Sequence, residues 1–111
     1  MARKLYLEFK DGILNGYHYM SGFKNDKTEF DPAKINKIKI NQSTQSDVLT
    51  LLNEPTGKAI CPTTLVKLEE KCESGSEVWS WHKVNKDKYS LLFIVFNQKL
   101  VVTNFHLSED Q

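Results

Sequence analysis

The residues of this chain best suited to chemistry are three histidines, His18, His82 and His106, and two cysteines, Cys61 and Cys72. A Cys/His hydrolase or a Cys₂His metal site can be drawn from His82, His106 and the two cysteines. A thiolate beside an imidazole is an activated nucleophile, and both groups ligate zinc. Nothing local supports either site. All three histidines fall in strand-like segments, where a histidine on the strand surface is the simpler reading. The Cys-x₂-Cys spacing of structural zinc sites is absent. So are Gly-x-Ser-x-Gly, the P-loop, His-Glu-x-x-His and the glycine-rich dinucleotide turn. The expectation is a chain that is not an enzyme, with no catalytic residue, metal or cofactor. Cys61 and Cys72 suit a small disulfide loop outside the cytosol or two free thiols inside it, and their spacing leaves both open.

The other informative side chains are aromatic and charged. Trp79-x-Trp81-His82 places two indoles on one strand face. They form core against the helices or, alternatively, an aromatic ledge at a sheet edge of the kind that anchors protein partners. Tyr17 and Tyr19 also share a strand face, and with Trp79 and Trp81 they are the candidate partner-binding residues. Glu69-Glu70-Lys71 and the lysines Lys34, Lys37 and Lys39 read as solvated faces, a basic docking patch being the weaker reading. Fifteen basic residues against fourteen acidic give a net charge of +1, so no whole-chain electrostatic argument favours a nucleic-acid partner.

These residues need elements to position them. Leu5, Leu7 and Phe9 alternate with Tyr6 and Glu8, and Asp11-Gly12 supplies a hairpin turn into a second strand over 13–20. Residues 21–28 and 73–77 read as surface loops. A first short helix starts at Asp31 with Pro32 in its first turn, a Phe30/Ile35 staple, and a buried stripe through Ile35 and Ile38. It is expected to end near Ile40. A second helix has Thr44 as N-cap, Asp47 completing a capping box, and Val48, Leu51 and Leu52 on one face. Asn53 suits the left-handed position after it, and Pro55 prevents extension. Residues 58–61 read as a short edge strand stopped by Pro62. Residues 63–71, with Leu65 and Leu68, suit a helical turn or two, or a loop. A strand over 77–84, a turn over 85–88, a central strand over 89–96 and a last strand over 100–107 complete the chain.

The expected fold class is α+β, with two short helices packed on one face of an antiparallel meander and an extra N-terminal hairpin before them. At 111 residues, with 40% hydrophobic and 26% charged residues, the chain is one compact unit with a small core. Within it, 1–22 is the hairpin and 23–111 the main domain. The longest apolar run, 91–96, is too short to span a bilayer. Met1-Ala2-Arg3-Lys4 is followed by no apolar stretch of the signal-peptide type, so no signal is expected in the chain as given. The two hairpins also resemble each other. Residues 7–14 and 94–101 both run apolar, any, Phe, three turn residues, two aliphatics, and lead on to Tyr17-His18 and Phe105-His106. The first hairpin is therefore expected to add to the meander of its own chain or to that of a second copy.

Residues 30–107 resemble the SmpA/OmlA (BamE-like) family of outer-membrane assembly lipoproteins. The matching pattern is Ile38; the Thr-capped helix with Val48 and Leu52; the Pro55 stop; Trp79 and Trp81 as the aromatic pair; Leu92, Ile94 and Phe96 in the apolar strand; and Val101 and Val102 in the last. The chain departs from the family at three glycines, replaced within Asn41-Gln42, at Asn53 and at Lys99-Leu100, and no lipobox cysteine is visible. The same unit resembles the repeats of β-lactamase inhibitor protein. The resemblance implies a non-enzymatic domain at the periplasmic face of the outer membrane, binding other envelope proteins. Its membrane association would run only through a lipid anchor absent from this chain, and its state would be a monomer or a hairpin-mediated homodimer. An even cysteine count in an envelope family implies a Cys61–Cys72 disulfide. The alternatives are a secreted or periplasmic enzyme inhibitor and a small cytosolic Cys/His enzyme.

Overall fold

The computed structural model describes residues 3–21, 30–65, 72–85 and 88–110. Most of the predicted 21–28 loop, Leu68, the Glu69-Glu70-Lys71 run and the middle of the 85–88 turn lie outside the described residues.

Six antiparallel strands run in sequence order across a single sheet: β1 (Arg3–Lys10), β2 (Ile13–Ser21), β3 (Gly57–Ile60), β4 (Glu77–Asn85), β5 (Lys88–Phe96) and β6 (Val102–Asp110). One eight-residue helix, α1 (Gln45–Leu52), is inserted between β2 and β3. This corrects the expected class. Among the described residues strand occupies 52% and helical turns 16%, which makes a six-stranded sheet with one short α-helix, not two helices laid on a sheet. The predicted first helix is a 3₁₀ turn over Pro32–Lys37, capped by Asp31, whose side chain accepts the Ala33 N–H. The stripe of Ile35 and Ile38 fits a three-residue repeat as well as an α-helix. The backbone is extended again at Ile38, before the predicted end.

The strands bring further corrections. The strand expected at an edge over 58–61 runs instead over 57–60, as β3 in the middle of the sheet, joined to β2 on one side and β4 on the other. The hairpin joins the sheet of its own chain, the first of the two arrangements expected for it, and there it is the first third of that sheet rather than an element set before the fold. The last strand starts at Val102 rather than at Leu100, and Val101 makes only an isolated bridge to Thr44.

Local chemistry accounts for the elements that hold. Asp11 and Gly12 both take positive φ, as a two-residue hairpin turn with matching twist requires. Thr44 and Asp47 form a reciprocal capping box, and Asn53 sits at φ 69° with its N–H bonded to Leu49 O. Strand β5 is buried on both faces, which is why it reads as a continuous apolar run. On one face Leu92, Ile94 and Phe96 join Trp79, Trp81 and Val102 beneath Phe30, Ile35, Ile38, Val48 and Leu52. On the other, Phe93 and Val95 pack with Val78 and Cys61. Cys61 and Cys72 form a disulfide, with their Cα atoms 6.0 Å apart.

Candidate functional site

The sheet register sorts the side chains into rows. Tyr6, His18, Gly57, Ser80, Phe93 and His106 lie in one row across all six strands, on the face away from α1. Gly57 has no side chain, so His18 Nδ1 reaches across β3 to Ser80 Oγ at 2.8 Å. A Cβ at Gly57 would collide with both of those side chains. His82 lies on the same face, two residues further along β4. Its Nε2 accepts the Ser21 N–H at 2.8 Å, and its Nδ1 lies 3.1 Å from Thr56 Oγ1. Accepting at Nε2 places the proton of a neutral ring on Nδ1, donating to Thr56. The two imidazoles meet edge to face with centroids 6.0 Å apart.

Both rings are held neutral. Burial, reinforced by the charge His82 would carry, lowers the His18 pKa to about 4. Burial also lowers that of His82, against the opposing pull of the Ser21 carbonyl oxygen, 3.3 Å from Nε2. His18 and Ser80 resemble a catalytic Ser–His pair in distance alone. Both are buried, and the polar atoms around them bond to one another rather than facing a recess. The cluster closes the hydrogen bonds of β2 against β4. His106, by contrast, is exposed on β6, against Phe93. With Cys61 and Cys72 joined, neither sulfur is a thiolate, so the Cys/His arrangements drawn from sequence have no nucleophile or sulfur ligand here.

The adjacent row ends differently. Leu7, Tyr17, Lys58, Trp79, Ile94 and Phe105 align across the sheet on the α1 face. From Trp79 onward this row is core. Trp79 and Trp81 are 4% and 1% exposed, and the Trp81 indole donates to Asn53 O at 3.2 Å. The two tryptophans therefore support α1 and are not open to a partner. Lys58 caps this core, with Nζ 4.9 Å from the centroid of the Trp79 ring. Beyond Lys58 the cover stops. Tyr17 and Tyr19 are half-buried, and Leu5, Leu7 and Phe9 are 60%, 51% and 60% exposed. Leu14, opposite Phe9, and Ile60 are exposed too. A shallow recess of about 200 Å³ lies here, lined by Leu14, Tyr17, Lys58, Ile60 and Glu77 among others. The result is a contiguous apolar face over β1–β3, beside the wall made by α1.

The reverse side of the hairpin is pinned down. Glu8 accepts from Asn15 Nδ2 at 2.6 Å, and from the Thr64 N–H and hydroxyl at 2.7 and 2.8 Å. Partial burial works to raise the Glu8 pKa, but these hydrogen bonds outweigh it and hold the carboxyl at about 2. Asn15, the extra residue of a bulge opposite Glu8, also donates to Ile60 O, and Lys10 Nζ donates to Pro62 O.

A second recess of about 360 Å³ beside the disulfide is lined by Glu73, Ser76, Asn97, Thr103 and Asn104 among others. Among the described residues Glu73 is the one charged group lining it and Val95 the one aliphatic side chain, whereas a small-molecule site is walled mostly by apolar groups. Among the described residues no cluster of His, Cys, Asp and Glu could hold a metal ion. Of the four candidate partner-binding residues, the structure leaves only Tyr17 and Tyr19 at a surface. It adds Leu5, Leu7, Phe9, Leu14 and Ile60, whose alternation marked strand faces without saying which face is covered. Comparison of the chain with protein-family models, with curated proteins and with solved structures found no match.

Proposed function

We propose that this chain is a non-enzymatic protein-binding domain of the cell envelope, holding other envelope proteins against the bare apolar face of β1–β3. The observation that carries the reading is that face: Leu5, Leu7, Phe9, Leu14 and Ile60 exposed together, with Tyr17 and Tyr19 at its inner margin. Monomeric soluble proteins seldom leave a large contiguous apolar patch on a regular element without a partner for it. Aromatic residues beside aliphatic ones are also the composition of interface centres.

Two observations support the envelope setting. The disulfide favours an oxidising compartment. The three places where the resemblance to outer-membrane assembly lipoproteins calls for glycine are left-handed: Asn41 at φ 66°, Asn53 at 69° and Leu100 at 64°. A scaffold role in outer-membrane protein assembly fits both.

The test is a photo-reactive residue placed at Leu7 in the protein expressed in its native envelope, with a second placed at Lys99 as control. Adducts with another envelope protein are expected from position 7 and not from position 99, and Phe9→Lys is expected to remove them. Equal labelling from both positions, or none from position 7, would overturn the reading.

A further inference from the structure

The bare face ends at an equally bare edge. Among the described residues, β1 pairs only with β2. Tyr19, opposite Leu5, sends its N–H toward β3, to Thr56 O at 2.9 Å. Opposite residues of an antiparallel pair point their backbone groups either at each other or both away. The N–H and C=O of Leu5 therefore point outward, and by alternation so do those of Leu7. Tyr6, between them, points inward. The edge is eight residues long and contains no proline. Its bulge lies in β2 near the turn and leaves 3–8 regular. Among the described residues, the usual devices that blunt an edge strand are missing from this stretch, apart from its charges.

Those charges select a partner. Two copies pairing β1 to β1 across a two-fold axis normal to the sheet keep each side chain on its own face, so only residues of equal parity can meet. With Leu7 on the axis, Lys4 meets Lys10 of the second copy. With Lys4 or Glu8 on the axis, a charge meets itself. With Tyr6 on the axis, Lys4 meets Glu8 in both symmetry-related places, and Leu5 meets Leu7. That register also joins the outward groups of Leu5 and Leu7 as hydrogen-bonded pairs. Glu8 is held ionised, and a carboxylate has lone pairs beyond those Asn15 and Thr64 use.

We infer that the outer edge of β1 is a self-association site, where a second copy of this chain pairs antiparallel about Tyr6 to extend the two sheets into one. The inference rests on the proposed binding face. Joining the edges doubles that face into an apolar floor across both hairpins, with one α1 wall at each side.

The purified full chain, with its disulfide intact, is tested by sedimentation equilibrium. The expected mass is that of a dimer. Lys4→Glu places like charges together at two sites and should weaken association about tenfold. Leu5→Pro removes an outward N–H, leaves the β1–β2 ladder intact, and should give a monomer with unchanged circular dichroism. Tyr6→Cys should cross-link to itself under mild oxidation, because a non-hydrogen-bonded pair has its Cα atoms about 4.5 Å apart. Lys4→Cys, several residues from its own copy in this register, should not. A wild-type monomer overturns the inference, as does a dimer indifferent to Leu5→Pro. Species that grow beyond a dimer also overturn it, since they indicate head-to-tail pairing onto β6. An envelope adduct at position 7 from a monomeric protein refutes self-association alone. A dimer without that adduct refutes the binding-face reading alone.

Discussion

Acid should loosen this fold in a window set by its two buried histidines. In the unfolded chain their pKa lies near 6.5; in the folded chain that of His18 falls to about 4 and that of His82 is also lowered. A base whose folded pKa is depressed binds more protons when unfolded. Stability is then complete above pH 6.5, falls as pH drops from 6.5 toward 4, and levels off below. For His18 the full difference corresponds to about 3 kcal/mol, and solvent screening near the open end of the hairpin reduces it to about 2 kcal/mol. His82 adds a loss of the same sign. Its Nε2 cannot accept the Ser21 N–H once protonated, and its charge would stand beside His18. The pH window is separable from that of Glu8. The depressed pKa of Glu8 contributes stability above pH 4.5 that is lost only as pH falls toward 2. Urea unfolding at pH 7.5, 6.5, 5.5 and 4.5 measures the effect. A fall of about 2 kcal/mol or more between the first and last is expected, with a smaller slope in His18→Gln. A flat profile over that range would refute the assignment of both rings as buried and neutral.

Three further outcomes follow from the packing. Trp81→Ala should cost about 3–5 kcal/mol by chemical denaturation, since the indole is buried beneath α1 and donates to Asn53 O. Reduction of Cys61–Cys72 should cost about 3 kcal/mol, from the chain entropy of a short closed loop. It is read as a lower melting temperature with reductant, and intact mass should show no free thiol beforehand. Leu100→Gly should raise stability by about 0.5–1 kcal/mol, because Leu100 is exposed and held at φ 64°, where only glycine is unstrained.

What could be read in the sequence was local. The Thr44–Asp47 box, the Asn53 stop, the Asp11-Gly12 turn and the double-sided burial of 91–96 each depend on neighbours within a few residues. The 3₁₀ turn stands where an α-helix is expected because Ile35 and Ile38 fit three- and four-residue periods equally, and Phe30 and the sheet below decide between them. The central place of strand β3 is hidden for a related reason. Four residues before a proline look like an edge, yet Gly57 and Ala59 are small enough to let β2 and β4 close on both sides. The pairing of His18 with Ser80 and its contact with His82 span more than half the chain, and Gly57, the residue that permits it, carries no chemical signal. Alternation in β1 gave two faces correctly. Which face is bare depends on how far the cover reaches, and among the described residues α1 and the 3₁₀ turn pack over β4–β6.

An uncovered hairpin would ordinarily fray, because two strands alone are marginal in water. Here the bare face stays rigid because the opposite face is tied down. Glu8, Lys10 and Asn15 bond to Thr64, Pro62 and Ile60, three points along one short segment. That segment is itself fixed to the start of β4, through the disulfide and through the bonds of Cys61 with Ser76 and Gly75. None of these ties uses the Leu5, Leu7 and Phe9 face. The ordering of the hairpin is therefore completed during folding, and an arriving partner has mainly its own freedom and its own water to lose. A flat, pre-ordered apolar floor suits a protein surface better than a small ligand, which needs enclosure. The fold puts its polar contacts on one side of the hairpin and leaves the other free for association.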